Sequence, residues 1–459
     1  ADGITIDDVG LSVNRVGSNG TTLTTTTDAA QSDIRTIGGS GNIVLRTTLG
    51  SIILNDGTSP DDDTAVSAFG SGNILIQAIG AGTDITANAD IVSGSGNVSV
   101  LAGQSIVFTG TADILTSSGT AASSGSIDVV AGTGSITQSV GSVFLSTGAA
   151  ATARLLAGTS VTVGTIVLED GKVSITATAG SISDAEVVSG ANDADQDITA
   201  SALRLSAGTS IGESVDHLET TVVTLSAEAR NGSIYLLEAD GITIDDVGLS
   251  VNRVGSNGTT LTTTTDAAQS DIRTTGGNGN IVLRTTAGSI TLNNGTAPND
   301  DTAISANGTG NILIQALGAD TDITVNADIT SGSGNVSVLA TRSIVFTGTA
   351  DIRTSSTAAG SGSIDVLAGT GSITQSATSV FLSTGATATA RLLAATSVTV
   401  GDIELSLGQV SITATAGAIL DADPDSSTND TDQDITASAL RMKAGTGIAG
   451  NVNHLETTV

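Results

Sequence analysis

The chain has 459 residues, of which 39 % are hydrophobic but only 1 % aromatic; it has no Trp and no Cys, and 46 Asp and Glu against 15 Lys and Arg give a formal net charge of −31. That balance excludes nucleic acid and anionic membrane surfaces as partners. The missing Cys excludes disulfide staples and thiolate metal sites, and no apolar run approaches the roughly 18 residues of a membrane span. The apolar content is therefore Ala, Val, Ile and Leu, which suit a thin interior better than a thick aromatic core. The mean hydropathy of +0.26 argues against disorder.

Ala1–Asp8 does not read as a signal peptide and returns as Ala239–Asp246, an offset of 238. Thr21–Thr27 follows, repeated as Thr259–Thr265. Ice recognition would need such a run on many consecutive coils, and only one coil per copy carries it. Asn42–Leu54 then sets the phrase that organises the chain. Ile43, Leu45 and Thr47 point one way and Val44 and Arg46 the other. A corner at Gly50 follows, where glycine accepts backbone angles that other residues resist, and Ile52 opens a second short strand. The phrase recurs as Asn73–Ala78, Asn97–Ala102, Ser126–Ala131 and Lys172–Ala177. A third short strand follows in the longer coils, as at Val143–Leu145.

The first inward residues are Thr21, Ile43, Ile74, Val98, Ile127, Ala153, Val173, Leu203 and Val223, spaced by 20 to 36 residues through to Thr259. Periods of this size mark solenoids. No stretch has helical periodicity and caps. The pattern predicts an all-β parallel β-helix of about nine coils per 238-residue repeat, stacked into a rod roughly 80 Å long at the usual strand spacing. Residues 1–238 and 239–459 are its two copies in one continuous solenoid, and because the second stops in mid-phrase the chain reads as a window cut from a longer array. Ile43 should lie over Ile74, then Val98, then Ile127. The outward positions Val44, Leu75, Leu101, Val130 and Leu156 are apolar, so a long insertion or a neighbouring chain should cover that face.

The coil phrase of strand, Ala, Gly, Ser and Ile resembles that of large secreted bacterial adhesins of the filamentous-haemagglutinin type. Leu218–Ala227 through Gly232–Leu236 likewise resembles repeats of giant bacterial surface proteins. The resemblance implies a right-handed parallel β-helix, in line with the crossover rule, at the bacterial cell surface or in the extracellular space. It brings no catalytic residue.

Acidic clusters carry what chemistry the sequence offers. Asp193, Asp195 and Asp197 return as Asp430, Asp432 and Asp434, and alternation puts each set on one face of an extended strand. Asp61–Asp63 corresponds to Asn299–Asp301. Ca²⁺ takes six to eight oxygen ligands of this kind, so these sets are candidate sites for a structural Ca²⁺. The bland alternative is a solvated acidic loop that keeps a filament soluble. His217 and His454 are single, without a partner His or Cys, and read as loop residues. No unique pairing of acids with a basic residue suggests an enzyme, and every acidic cluster occurs twice. The sequence thus points to a structural rod segment of a fibrous surface adhesin, providing reach, adhesion or cell–cell contact. The alternatives are a self-assembling filament subunit and a carbohydrate-binding or carbohydrate-cleaving β-helix. The partners implied are neighbouring repeats, identical chains, and cell-surface glycans or proteins.

Overall fold

The computed structural model describes residues 3–116, 125–148, 150–186, 195–354, 362–385, 387–423, 433–450 and 454–459. Among these there are strands and turns and no helix; parallel strands stack coil upon coil, and the fold is an all-β parallel β-helix. The chain divides into two compact units, Ala1–Thr178 with Leu249–Asp266, and Ala179–Gly248 with Ala267–Val459.

In the first unit each coil contributes to three parallel ladders. One stacks Ile43, Ile74, Val98, Ile127, Ala153 and Val173 in register, as the sequence predicts for its first four members. A second stacks Ile4, Ile52, Ile85, Ile106, Ile136 and Val161. A third stacks Ile34, Val66, Ile91, Ile114, Phe144 and Ile166. β-branched residues dominate because each must fill a pleated, half-buried position with a stiff side chain. Most of these inward residues are fully buried. Four of the scarce aromatics pair inside the coils: Phe108 meets Phe144 edge-on, centroids 4.8 Å apart, and Phe346 meets Phe381 in the same way.

The corners are held by a side-chain ladder. Asn42 Oδ1 accepts from Asn73 N, Asn73 Oδ1 from Asn97 N, and Asn97 Oδ1 from Ser126 N. This explains why the phrase so often opens on Asn. Some corner glycines have positive φ, as at Gly70, Gly212 and Gly288, but at others glycine is required for a different reason. A Cβ on Gly96 would lie 2.2 Å from Gly72 O, and one on Gly103 would lie 1.9 Å from Gly80 O, while neither has positive φ. Close approach of successive coils, rather than a left-handed turn, requires glycine there.

Two of the nine coil positions are corrected. Thr21 does not begin a coil. Val9–Val16 and Leu23–Gln31 form an antiparallel hairpin, hairpin 1, which leaves the coil between Ile6 and Ile34. The Thr run alternates within a two-stranded ribbon, which sequence periodicity cannot tell from a coil strand. Val223 is 64 % exposed; Leu225 is the residue that stacks on Leu203.

Within the second unit one ladder stacks Ile281, Ile312, Val336, Ile364, Ala390 and Val410 in register. Where the second copy begins, the ladders change places. Ile281 stands on Ile234, itself bridged to Ile211, so the phrase strand of the second copy follows the short-strand ladder of the first. Ile244 and Ile272 stand over Leu225 and Ala227 on the single strand Leu218–Ala229. The residues between Ile244 and Ile272 therefore have to leave the coil, and they leave as hairpin 2, Val247–Val254 with Leu261–Gln269.

Candidate functional site

Part of the outward face is covered from within the chain, but of the apolar positions expected to be covered only Leu75 is buried; Val44 is 36 % exposed and Leu101, Val130 and Leu156 are half-buried. Val44, Leu75, Ser99, Asp128, Arg154 and Ser174 form one outward column of the first unit. Residues Leu249–Asp266, most of hairpin 2, lie across it. Leu249, Val251 and Val254 are buried there, as are Leu75, Ser99, Asp128, Arg154 and Ser174. Val254 N donates to Ser99 Oγ at 2.9 Å, and Asn73 Nδ2 donates to Gly258 O at 3.2 Å. At its centre Asp128, fully buried, accepts from Arg253 Nε at 2.6 Å and from Arg154 Nη1 at 2.8 Å. Arg154 Nε and Ser174 Oγ donate in turn to Asp266, at 3.0 and 2.7 Å. A buried carboxylate is tolerable because two guanidinium groups satisfy it. In the second unit, Gln269 Nε2 donates to Leu205 O and Arg204 Nε to Ala267 O, anchoring the base of the hairpin.

The same sequence in hairpin 1 has no such cover. Val9, Leu11, Val13 and Val16 are 50 to 72 % exposed. A Cβ on Gly258 would meet Asn42 and Val44, whereas one on Gly20 would meet nothing within 4 Å.

The acidic candidates gather differently from the sequence pattern. Asp193, Asp430 and Asp432 lie outside the described residues. Asp195 is exposed. Asp197 is buried and meets Asp184 and Glu219, contributed by neighbouring coils, with carboxylate oxygens within 4.8 Å of one another. Asp434 meets Asp421 and Glu456 in the equivalent place. Glu219 N donates to Asp197 Oδ2 at 2.8 Å and Glu456 N to Asp434 Oδ2 at 2.7 Å. Burial above all, with a second carboxyl beside each, pushes Asp197 and Asp434 well above the usual carboxylate range. Coil stacking, not alternation along one strand, assembles these groups. The recurrence of Leu218–Val222 as Leu455–Val459, each with its Glu, was the signal available for Glu219 and Glu456.

A further triad, Asp33, Asp56 and Asp62, has oxygens within 4.8 Å of one another. Asp33 is 6 % exposed and its Oδ1 has no hydrogen-bond partner. Burial and then the charges of Asp62 and Asp56 raise its pKa. In the second copy Asp271, equally enclosed and also with an unpartnered Oδ1, is pushed up to about 7, chiefly by burial and then by Asp300. These all-oxygen sets are of the type a hard divalent cation accepts.

His217 is a loop residue, as the sequence suggests, but a buried one. Its ring stacks on Tyr235 at 5.7 Å, and burial, with the charge of Arg284, holds its pKa down to about 4. His454 is exposed. Neither belongs to a cluster of metal-binding side chains among the described residues.

The chain is a parallel β-solenoid in which a hairpin from the second repeat, Leu249–Asp266, covers a sheet face of the first. Neither a family model, a curated protein nor a solved structure matches it.

Proposed function

We propose that the chain is a structural segment of a large extracellular or cell-surface fibre, whose work is reach, adhesion or cell–cell contact. The observation that carries this reading is the hairpin strap: one copy binds the sheet face of the copy before it through a buried Arg–Asp network. Repeats that contact only their neighbours form extended arrays, and such a strap adds side-chain cohesion to backbone ladders. The net charge of −31 keeps such an array soluble and self-repelling. The resemblance of the coil phrase to adhesin repeats supports display at the bacterial surface.

Immunogold labelling of the producing cells with antibody raised against the chain tests the reading. Label on surface fibres is expected. Label confined to the cell interior would reject it.

A further inference from the structure

Each copy carries both halves of the strap, a hairpin and a sheet face, and among the described residues one hairpin is buried on one face while the other hairpin and the other face are exposed. Hairpin 1 is open, with Leu11 57 % and Val13 50 % exposed, whereas their twins Leu249 and Val251 are 3 % and 1 % exposed. The face of the second copy is open as well. Leu313, Ser337, Asp365, Arg391 and Ser411 repeat Leu75, Ser99, Asp128, Arg154 and Ser174 in the same register. No residue of this column is buried, and Arg391 is exposed. A groove of ≈ 270 Å³ lies at its far end, lined in part by Arg391, Ser411 and Arg441.

We infer that hairpin 1 of a second copy of this chain docks on the second-copy face, Leu313 to Ser411, joining chains head to tail. The occupant is fixed by complementarity, because every side chain in the internal strap has an identical counterpart on the two open surfaces. Arg15 takes the place of Arg253 and reaches Asp365. Asp28 takes the place of Asp266 and receives Arg391 and Ser411. Val16 N donates to Ser337 Oγ. In the open state Arg391 instead holds Asp365 alone, through two bonds of 2.7 Å. Docking therefore frees Arg391 Nε for Asp28, as Arg154 Nε is engaged by Asp266 in the closed strap. A hairpin meeting a different surface makes a heterologous contact, and such contacts extend into chains rather than closing as two-fold dimers. The overall charge opposes association and salt screens it over about 8 Å at physiological strength; the pairs buried at the contact are screened far less. Association thus strengthens as salt rises from low to physiological.

The inference does not rest on surface display: association and immunogold labelling fail or succeed separately. It is tested by sedimentation velocity of the full chain over a concentration series at physiological salt. Leu11→Asp disables the hairpin and Arg391→Glu disables the face, both at exposed positions, and matching circular-dichroism melts establish that each variant folds. Wild type is expected to form species that grow with concentration. Each variant alone is expected to self-associate about 30-fold more weakly or less tightly still, since each breaks a desolvated contact. Leu11→Asp retains a good face and Arg391→Glu a good hairpin, so mixing them is expected to give a 1:1 complex that grows no further. Wild type that stays monomeric at every concentration overturns the inference. So do variants that associate as wild type does, or a mixture that gives no 1:1 complex.

Discussion

Arg253 in the second copy donates to Asp128 in the first at 2.6 Å, across a face where Asp128 has no exposed surface, while Arg15, the same residue one repeat earlier, lies on an exposed strand. One sequence thus occupies two environments in one chain. The difference between them measures what the strap contributes.

Removing the acid at the centre of the strap should be costly. Asp128→Ala leaves Arg154 buried with one partner lost, and breaking a buried pair costs about 3–5 kcal/mol. Asp365→Ala removes the same pairing from an open face, with Arg391 53 % and Asp365 32 % exposed, where such pairs contribute about 1 kcal/mol or less. Thermal melts of the two variants should show a large fall for the first and little change for the second. Equal falls would mean that the strap adds nothing to the first site.

Glu238 sets a pH dependence. It is fully buried, accepts from Thr220 Oγ1 and Val222 N, and burial above all pushes its pKa from 4.5 up to about 8. The folded state then holds a proton that the unfolded state releases, so stability falls as pH rises from about 4.5 to about 8, and the whole penalty is present above that. Glu238→Gln should be the more stable protein at pH 9, by on the order of 2–4 kcal/mol, and the difference should shrink towards pH 5. Denaturation at the two pH values checks this; a difference independent of pH would contradict it.

The corner glycines should refuse a methyl group. Gly103→Ala sets a Cβ against Gly80 O, and overpacking of that kind costs about 1–3 kcal/mol. Gly38 has nothing within 4 Å and no positive φ, so Gly38→Ala should be neutral or stabilise by about 0.5 kcal/mol through the unfolded chain. Chemical denaturation of both variants checks this; equal stabilities would contradict close approach as the reason for glycine at Gly103.

On the calcium reading, Ca²⁺ should raise the melting temperature at neutral pH, and Asp33→Asn should reduce the rise by removing charge from the Asp33, Asp56 and Asp62 set. Binding competes with protons, so the rise should diminish towards pH 5. A calorimetric titration without heat and a melt unchanged by the ion would reject Ca²⁺ at these carboxylates.

The ladders were legible in the sequence because alternation and register are local properties repeated many times. Ile43, Ile74, Val98 and Ile127 could be stacked on paper. Hairpin 1 was not legible, since Leu23–Gln31 alternates like any coil strand and its Thr residues carry no mark of leaving the coil. The cover over Leu75 was legible as a need, from apolar outward positions, but its source was not, and the same pattern extends the need to Val44, Leu101, Val130 and Leu156, none of which is buried. That source depends on the exchange of ladders where Ile281 stands on Ile234, which no residue pattern encodes. The acid triads were half legible: Asp197 and Asp434 stood out in their clusters, but Asp184 and Glu219 reach them only through coil stacking.

The account turns on one copy's hairpin covering the sheet face of the copy before it, and the chain carries its own control. Residues 1–36 and 239–274 are identical, so a peptide from Val9–Leu23 has the same mass and the same intrinsic exchange rates as its twin from Val247–Leu261. Hydrogen–deuterium exchange on that shared peptide, in dilute monomeric protein, compares the open hairpin with the buried one directly. With one hairpin covered and the other open, two isotope envelopes of equal size are expected, one exchanging quickly and one slowly; a single envelope would mean that the two hairpins share one environment.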